Sequence, residues 1–326
     1  MKTIRRIFQI LVLVYIFISG CAQPPITHYR EPYAGFSAHF LNVGQGDCIF
    51  MQFSDGVNML VDCAENDGKN ADFIVKFIKK LGVSKIDYLV LTHPDADHIG
   101  NAIEVINNFE IKKAFLPKIS EDNLQYLPLY KSVVDRIKEK SIERQTSTSY
   151  VSFKGQDYGV AFLSPLPPAF NGSSYDDFTS SYIPDSKQTN ALSPIIYVQS
   201  RGVRFLLTGD APSSQEKIAL ESARLSKTTN TYSGIDVNLE DIDFLKVSHH
   251  GSNDGSSNEF LQVLKPKNAI ISVAGNNYFG HPDDEVLKRL LFHNPNFNLY
   301  RTDVNGTISI YVDLKGEQSI LLDARF

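Results

Sequence analysis

Six consecutive residues, His93-Pro94-Asp95-Ala96-Asp97-His98, carry four side chains able to ligate a metal ion. The apolar run Ile86 to Leu91 just before them reads as a buried strand, and Gly100 onward reads as the start of a helix, so the cluster is expected on a strand-to-helix loop. Loops at strand ends are where a rigid scaffold displays chemistry. Borderline and hard donors at this density point to metal-dependent hydrolysis, and they demand a fold that brings further donors to the same strand end.

The pattern around the cluster predicts such a fold. Ala38 to Val43, Cys48 to Phe53 and Asn58 to Cys63 read as three strands joined by the turns Gly44-Gln45-Gly46 and Ser54-Asp55-Gly56. Phe73, Ile74, Phe77, Ile78 and Leu81 recur at helical spacing within Ala71 to Leu81, and Asn101 to Asn108 is a second expected helix. The alternation continues with a strand at Lys113 to Leu116, a helix at Leu124 to Lys138 and strands near Tyr150 to Phe153 and at Tyr158 to Leu163. Ser164 to Thr189, rich in Pro, Ser, Asp and Tyr, is too long for a simple connector and reads either as a functional lid or rim or as an exposed variable insertion. Further strands follow at Ile195 to Gln199, Val203 to Leu207, Phe244 to Val247 and Ala269 to Val273. Strand blocks with intervening helices in both halves predict an α/β fold of two sheets covered by helices, a four-layer αββα sandwich.

Successive strand ends deliver Asp62, then His93, Asp95, Asp97 and His98, then Asp210, His249, His250 and His281. A single Asp or His at a strand end is ordinary; their convergence is the signal. His93-Pro94-Asp95-Ala96-Asp97-His98 resembles the His-x-His-x-Asp-His motif of the metallo-β-lactamase superfamily, with Asp95 in place of the second His. Leu41-Asn42-Val43-Gly44-Gln45-Gly46-Asp47, Leu206-Leu207-Thr208-Gly209-Asp210 and Val247-Ser248-His249-His250-Gly251-Ser252 extend the resemblance to the metallo-hydrolase domain of ComEC-type DNA-uptake proteins, from about Phe36 to the C-terminus.

The resemblance implies two divalent metal ions, one held by His93, Asp95 and Asp210 and the other by Asp97, His98, Asp210 and a late histidine, taken as His281 because it follows the last sandwich-type strand. His249 and His250 are then left beside the substrate, with Asp97, as the catalytic group. Asn190 stands where a first-site His is usual, and Asp62 is expected to orient a ligand His or its loop. Asp47 either lines the site or is ordinary turn chemistry; its Gly-rich turn joins two strands and is no phosphate loop. Asp95 and Asn190 make the first site richer in oxygen, which moves preference from zinc towards manganese or magnesium. A two-metal site supplies a bridging hydroxide and clamps attacking and leaving oxygens, so a phosphodiester is the natural substrate class, with one of His249 and His250 serving the leaving group.

The first twenty residues are a separate object. Lys2, Arg5 and Arg6 precede an apolar run from Ile7 to Ile18, then Ile18-Ser19-Gly20-Cys21. This is the order of a secretory signal, and small residues before a cysteine resemble a bacterial lipobox. The expected organisation is a lipoprotein signal peptide over 1–20, a tether over 21–35 beginning at a lipidated Cys21, and a hydrolase domain over 36–326. Ala22 after that cysteine points to the outer membrane or cell surface. Losing Lys2, Arg5 and Arg6 takes the formal charge from −5 to −8, which argues against a broad cationic face for nucleic acid. Cys48 and Cys63 flank the Ser54-Asp55-Gly56 turn nearly opposite each other, so an exported chain could oxidise them to a disulfide.

The leading expectation is therefore a membrane-tethered metal-dependent phosphodiesterase or nuclease acting on DNA. Two alternatives stand beside it. One is the same chemistry on an extracellular glycopolymer or phosphocholine substrate, which the −8 charge favours; the other is a non-catalytic scaffold lipoprotein. Against the scaffold, every expected carboxylate and His position is filled; against a β-lactamase, Asp95 and Asn190 depart from a His-rich first site.

Overall fold

Two mixed β-sheets lie face to face in the computed structural model, which describes residues 35–167 and 189–323. The signal, Cys21 and nearly all of the tether lie outside the described residues, as does the body of the Ser164 to Thr189 segment. The first sheet contains β1 (Phe36–Phe40), β2 (Ile49–Gln52), β3 (Asn58–Val61), β4 (Lys85–Val90), β5 (Glu110–Leu116), β6 (Glu143–Thr146), β14 (Thr307–Val312) and β15 (Gln318–Asp323), in the order β15-β14-β1-β2-β3-β4-β5-β6. The second contains β7 (Ser152–Lys154), β8 (Tyr158–Phe162), β9 (Ile196–Ser200), β10 (Val203–Leu207), β11 (Phe244–Lys246), β12 (Asn268–Ile271) and β13 (Asn298–Arg301), in the order β13-β12-β11-β10-β9-β8-β7.

The central strands are buried on both faces, which is why β3 and β8 show no exposed alternate positions; β1 alternates Phe36, Ala38 and Phe40 with Ser37 and His39, and both sets are buried. Three hydrophobic clusters account for the layers. Phe40, Met51, Phe115, Phe162, Phe205 and Phe244 belong to the cluster between the sheets. A second lies under α1 (Asn70–Lys80), α3 (Ala102–Asn108) and α5 (Pro128–Glu139), through Ile74, Ile78, Val105, Ile106, Val133 and Ile137. A third lies under α6 (Ser213–Ser226), α7 (Asn258–Leu264) and α8 (Asp284–His293), through Ala219, Phe260, Leu261 and Leu290. Helix, sheet, sheet, helix is the expected αββα sandwich. In α1 the apolar stripe Ile74, Val75 and Ile78 faces inward, while Asp72 in the first turn and Lys79 and Lys80 in the last suit the helix dipole.

Strands β3 to β6 run parallel, as do β10 to β13, so their C-terminal ends deliver their loops to one edge of each sheet. β1 points the same way as β3, being two antiparallel steps from it, and places the loop after Phe40 at that edge.

Local details differ from the sequence reading in instructive ways. The helix after the ligand cluster begins as the short α2 (Ala96–Ile99), not at Gly100, so Asp97 and His98 sit within its single turn. The expected helix over Leu124 to Lys138 is two, α4 (Glu121–Leu124) and α5, because Pro128 suits a first helical turn but disfavours helix in the residue before it. Cys48 and Cys63 are free and buried; the β2–β3 ladder pairs Ile49 with Val61, which leaves the two thiols one step out of line. Burial in an apolar setting holds both thiols well above their usual pKa. Among the described residues no helix is long and apolar enough to cross a membrane.

Candidate metal centre

The loop after β4 is held from below by Asp62, which follows β3. Asp62 is fully buried and accepts from the Thr92 N–H at 2.8 Å, from the Thr92 hydroxyl at 2.7 Å and from His98 Nδ1 at 2.7 Å. With Nδ1 committed to a carboxylate, His98 turns Nε2 to the centre, the arrangement that orients ligand histidines. Nε2 lies 3.2 Å from Asp210 Oδ1 and 3.3 Å from His250 Nε2.

Asp210, after β10, stands at the middle of four imidazoles. Besides His98, its Oδ2 lies 3.9 Å from His93 Nε2, 3.6 Å from His249 Nε2 and 3.5 Å from His250 Nε2. Asp95 closes the His93 side, its Oδ2 3.7 Å from His93 Nε2; Asp97 closes the other, its Oδ2 3.3 Å from His250 Nε2.

The late histidine in this cluster is His250 and not His281. After β11 the chain enters a single 3-10 turn, Ser248–Gly251, in which His249 and His250 both take left-handed backbone angles, φ 48° and 53°. That costly conformation sends the two rings different ways. His250 Nδ1 donates to the Ser272 carbonyl at 2.7 Å, and its Nε2 faces the centre. His281 lies outward: its ring is 5.6 Å from that of His249, and none of the metal-capable groups among the described residues includes it. Sequence order put His281 after the last sandwich strand; the tight turn after β11 brings a different imidazole, that of His250, beside Asp210, Asp97 and His98.

His249 sits at the rim, with Nδ1 3.0 Å from both oxygens of Asp254. Burial pulls this imidazole down, but Asp254 and Asp210 outweigh it and raise its pKa; Asp254 in turn is held low by His249 against its own burial. Asn190 is buried with Nδ2 3.5 Å from His249 Nδ1, and its Oδ1 has no hydrogen-bond partner. Sequence reasoning overlooked Asp254, although its position five residues after His249 was open to inspection.

Asp47 belongs beneath the site. It is 1 % exposed, and its Oδ2 lies 2.8 Å from Nζ of Lys246, itself 0 % exposed. The contact is an ion pair without hydrogen-bond geometry, since neither Asp47 oxygen has a directed donor. Lys246 Nζ also reaches the Val247 carbonyl at 3.0 Å and the Gly209 carbonyl at 3.4 Å, tying together the two loops that carry His250 and Asp210. Sequence reasoning also missed Lys246, because a lysine in a short apolar strand carries no motif. Gly46 has φ +119°, and a Cβ there would lie 2.1 Å from the Asp97 carbonyl oxygen. The Gly-rich turn is thus a backbone platform for the ligand loop, fastened by the Asp47 N–H to the same carbonyl at 3.2 Å.

Electrostatics follow from crowding. Burial takes the His93 pKa down to about 3. Burial would also lower His98, but the carboxylates of Asp210, Asp62 and Asp97 overcome it and hold the ring well above its usual value. Asp210 is held well below the usual carboxylate range by His98 and His250 despite burial, whereas burial raises Asp95.

These residues fit a metal pair. Ligands sharing one ion at ordinary metal–nitrogen and metal–oxygen distances stand about 3.0–3.5 Å apart. The separations among Asp97, His98, His250 and Asp210 lie in that range, and those of His93 to Asp95 and Asp210 are slightly wider. His93 Nε2 and Asp210 Oδ1 are buried without hydrogen-bond partners and aimed at the same centre, the state of donors built for a cation.

A family model described as Metallo-beta-lactamase superfamily matches residues 41–275, the span that supplies Asp47, Asp62, the whole cluster and Asp254. The chain belongs to the metallo-beta-lactamase superfamily. Among relatives, this superfamily member is 31% identical over 239 residues to ComE operon protein 3 of Bacillus subtilis (strain 168), covering 72% of this chain and 26% of that protein. It is 28% identical over 237 residues to competence protein ComA of Neisseria gonorrhoeae, again covering 72% and 26%. The chain thus spans about a quarter of the length of these curated relatives. The ComEC-type resemblance read from the motifs is borne out. Among solved structures, CmlA, a diiron beta-hydroxylase from Streptomyces venezuelae, superposes with a TM-score of 0.50 at 12% identity, over 90% of this chain and 55% of CmlA, a likeness of fold.

Proposed function

We propose that the protein is a metal-dependent phosphodiesterase acting on DNA, tethered to a bacterial membrane through a lipidated Cys21. The observation that carries the hydrolytic reading is Asp210, buried among His93, His98, His249 and His250 with one carboxylate on either flank. His93, Asp95 and Asp210 would hold one divalent ion, and Asp97, His98, His250 and Asp210 the second. Such a pair polarises a phosphoryl group and supplies a water-derived nucleophile near neutral pH.

The remaining groups have separable tasks. Asp62 and the Ser272 carbonyl keep His98 and His250 in the tautomer that leaves Nε2 as the donor. His249, partly exposed and biased towards its protonated form by Asp254, is placed to give a proton or positive charge to a leaving oxygen. The oxygen-rich donors Asp95, Asp97 and Asp210 favour manganese or magnesium over zinc. DNA as substrate is supported by the competence-protein relatives, and the lipid anchor by the order of residues from Lys2 to Cys21.

The test is cleavage of single- and double-stranded DNA by the full chain in detergent micelles, with manganese, magnesium or zinc, beside Asp210→Ala. Metal-dependent cleavage missing from the variant supports the reading. Failure on DNA with hydrolysis of bis-p-nitrophenyl phosphate intact redirects it to extracellular glycopolymers. For the anchor, Cys21→Ser should release the chain from the membrane fraction; retention there would refute lipidation.

A further inference from the structure

We infer that Tyr278 and Phe279 form an aromatic ledge on which a base of single-stranded nucleic acid stacks while its phosphodiester enters the metal centre. The inference rests on the phosphodiesterase reading above and adds the feature that selects the substrate. Tyr278 is 106% exposed and Phe279 70%, on the loop between β12 and α8. Leaving two adjacent large aromatic rings in water forgoes the free energy of burying them, so a pair held on a fixed loop at a site's rim marks a contact surface.

The loop is fixed. The Asn277 side chain donates to the Ala274 and His281 carbonyls at 2.9 and 2.7 Å and accepts from the His281 N–H at 2.9 Å. Its two ends are fastened to the loops that bear the site. The Ala274 N–H donates to Gln45 Oε1 of the Gly-rich turn, and the Asp283 N–H to the Gly251 carbonyl beside His250. Pro282 packs so closely on Gly251 that a Cβ there would lie 2.6 Å from the proline ring. The aromatic tip therefore stands on the same framework as the ligands.

The path from ledge to centre is a series of rings. The Phe279 ring lies 5.8 Å from that of His281 and nearly parallel to it, at 12°. His281 lies 5.6 Å from His249, whose Nε2 is 3.6 Å from Asp210. The Phe279 and His281 rings stack while His281 meets His249 edge-on at 63°, so it is exposed Phe279, at the outer end, that offers a further flat ring a place. These rings do not surround a volume, as the aromatic cage for a quaternary ammonium does, which disfavours phosphocholine as the occupant. Stacking accepts any base but requires an open π-face, which a single strand offers and a duplex interior does not. His281, which sequence order suggested as a ligand, becomes the link between ledge and centre.

The test is steady-state hydrolysis of oligothymidylate and of its duplex by the full chain in micelles with manganese, beside bis-p-nitrophenyl phosphate. Phe279→Ala, and Tyr278→Ala with Phe279→Ala together, should raise KM for oligothymidylate about 5- to 100-fold, with the loss falling on KM rather than kcat. Phe279→Trp should restore it, and Phe279→Leu should not. An unchanged KM in the double variant, or full rescue by leucine, overturns the ledge while the phosphodiesterase reading stands. An equal rise in KM for duplex overturns the single-strand selectivity. An unaltered chain that hydrolyses the small diester but not oligothymidylate also overturns the ledge, in favour of a glycopolymer. One that hydrolyses neither overturns the reading beneath it, and the ledge with it.

Discussion

Replacing Lys246 with Met would remove the cation from a pair closed to water on both sides. At 2.8 Å and an effective dielectric of about 20 the Lys246–Asp47 attraction is about 6 kcal/mol. Desolvating the two ions costs several kcal/mol each, so the intact pair contributes little net stability. Its removal by halves is another matter. Lys246→Met leaves the Asp47 carboxylate buried with no directed donor, and Asp47→Asn leaves the ammonium on two backbone carbonyls. Each single change should cost about 3–5 kcal/mol, a large part of the ordinary 5–15 kcal/mol of a domain. The double variant should cost no more than either single one, so the cycle should show a coupling of several kcal/mol. Urea unfolding of the four proteins in chelator measures this without a bound metal. Additive losses, or single losses below about 1 kcal/mol, would refute the claim that the pair acts as one buried unit.

Two further outcomes are expected. Gly46→Ala places a methyl against the Asp97 carbonyl at a backbone angle that suits only glycine; the ligand loop must move, and manganese affinity by calorimetric titration should fall about 10- to 100-fold, an unchanged affinity showing the turn to be no platform. His39 is buried between Ser37 and Ser309, and burial lowers its pKa from 6.5 to about 3. The folded state keeps this imidazole neutral while the unfolded state binds the proton, so its contribution is full above pH 6.5 and is lost as the pH falls towards 3, by up to about 5 kcal/mol. Stability of His39→Gln measured across that window should decline less steeply than that of the parent chain; parallel declines would remove His39 from the acid response.

Much of the fold was legible because the two periods are physical. The stripe Ile74, Val75, Ile78 is the side of a helix that faces the hydrophobic core, and the apolar runs at β4 and β10 are largely buried strands. What escaped was set by partners far away in sequence. β6, Glu-Arg-Gln-Thr, has no apolar pattern and is a strand because β5 offers it a parallel edge. β14 and β15 return from the end of the chain to complete the first sheet beside β1, while β7 and β8 leave the first half to begin the second. No local pattern encodes that exchange, because hydrogen-bond ladders are indifferent to the distance along the chain between their strands.

The centre divides along the same line. Residue identity by itself determined that this chain carries a dense set of oxygen and nitrogen donors at strand ends, and from chemistry alone what class of ion and reaction such donors suit. Only the tertiary structure decided which of them meet. Left-handed angles at His249 and His250 turn one ring inward and leave His281 outside, and Lys246 becomes part of the site's support only because Asp47, some two hundred positions earlier, is folded beneath it. Ligation depends on separations of a few ångströms in three dimensions. A linear chain specifies them through packing, so the donors can be read from the sequence and their geometry cannot.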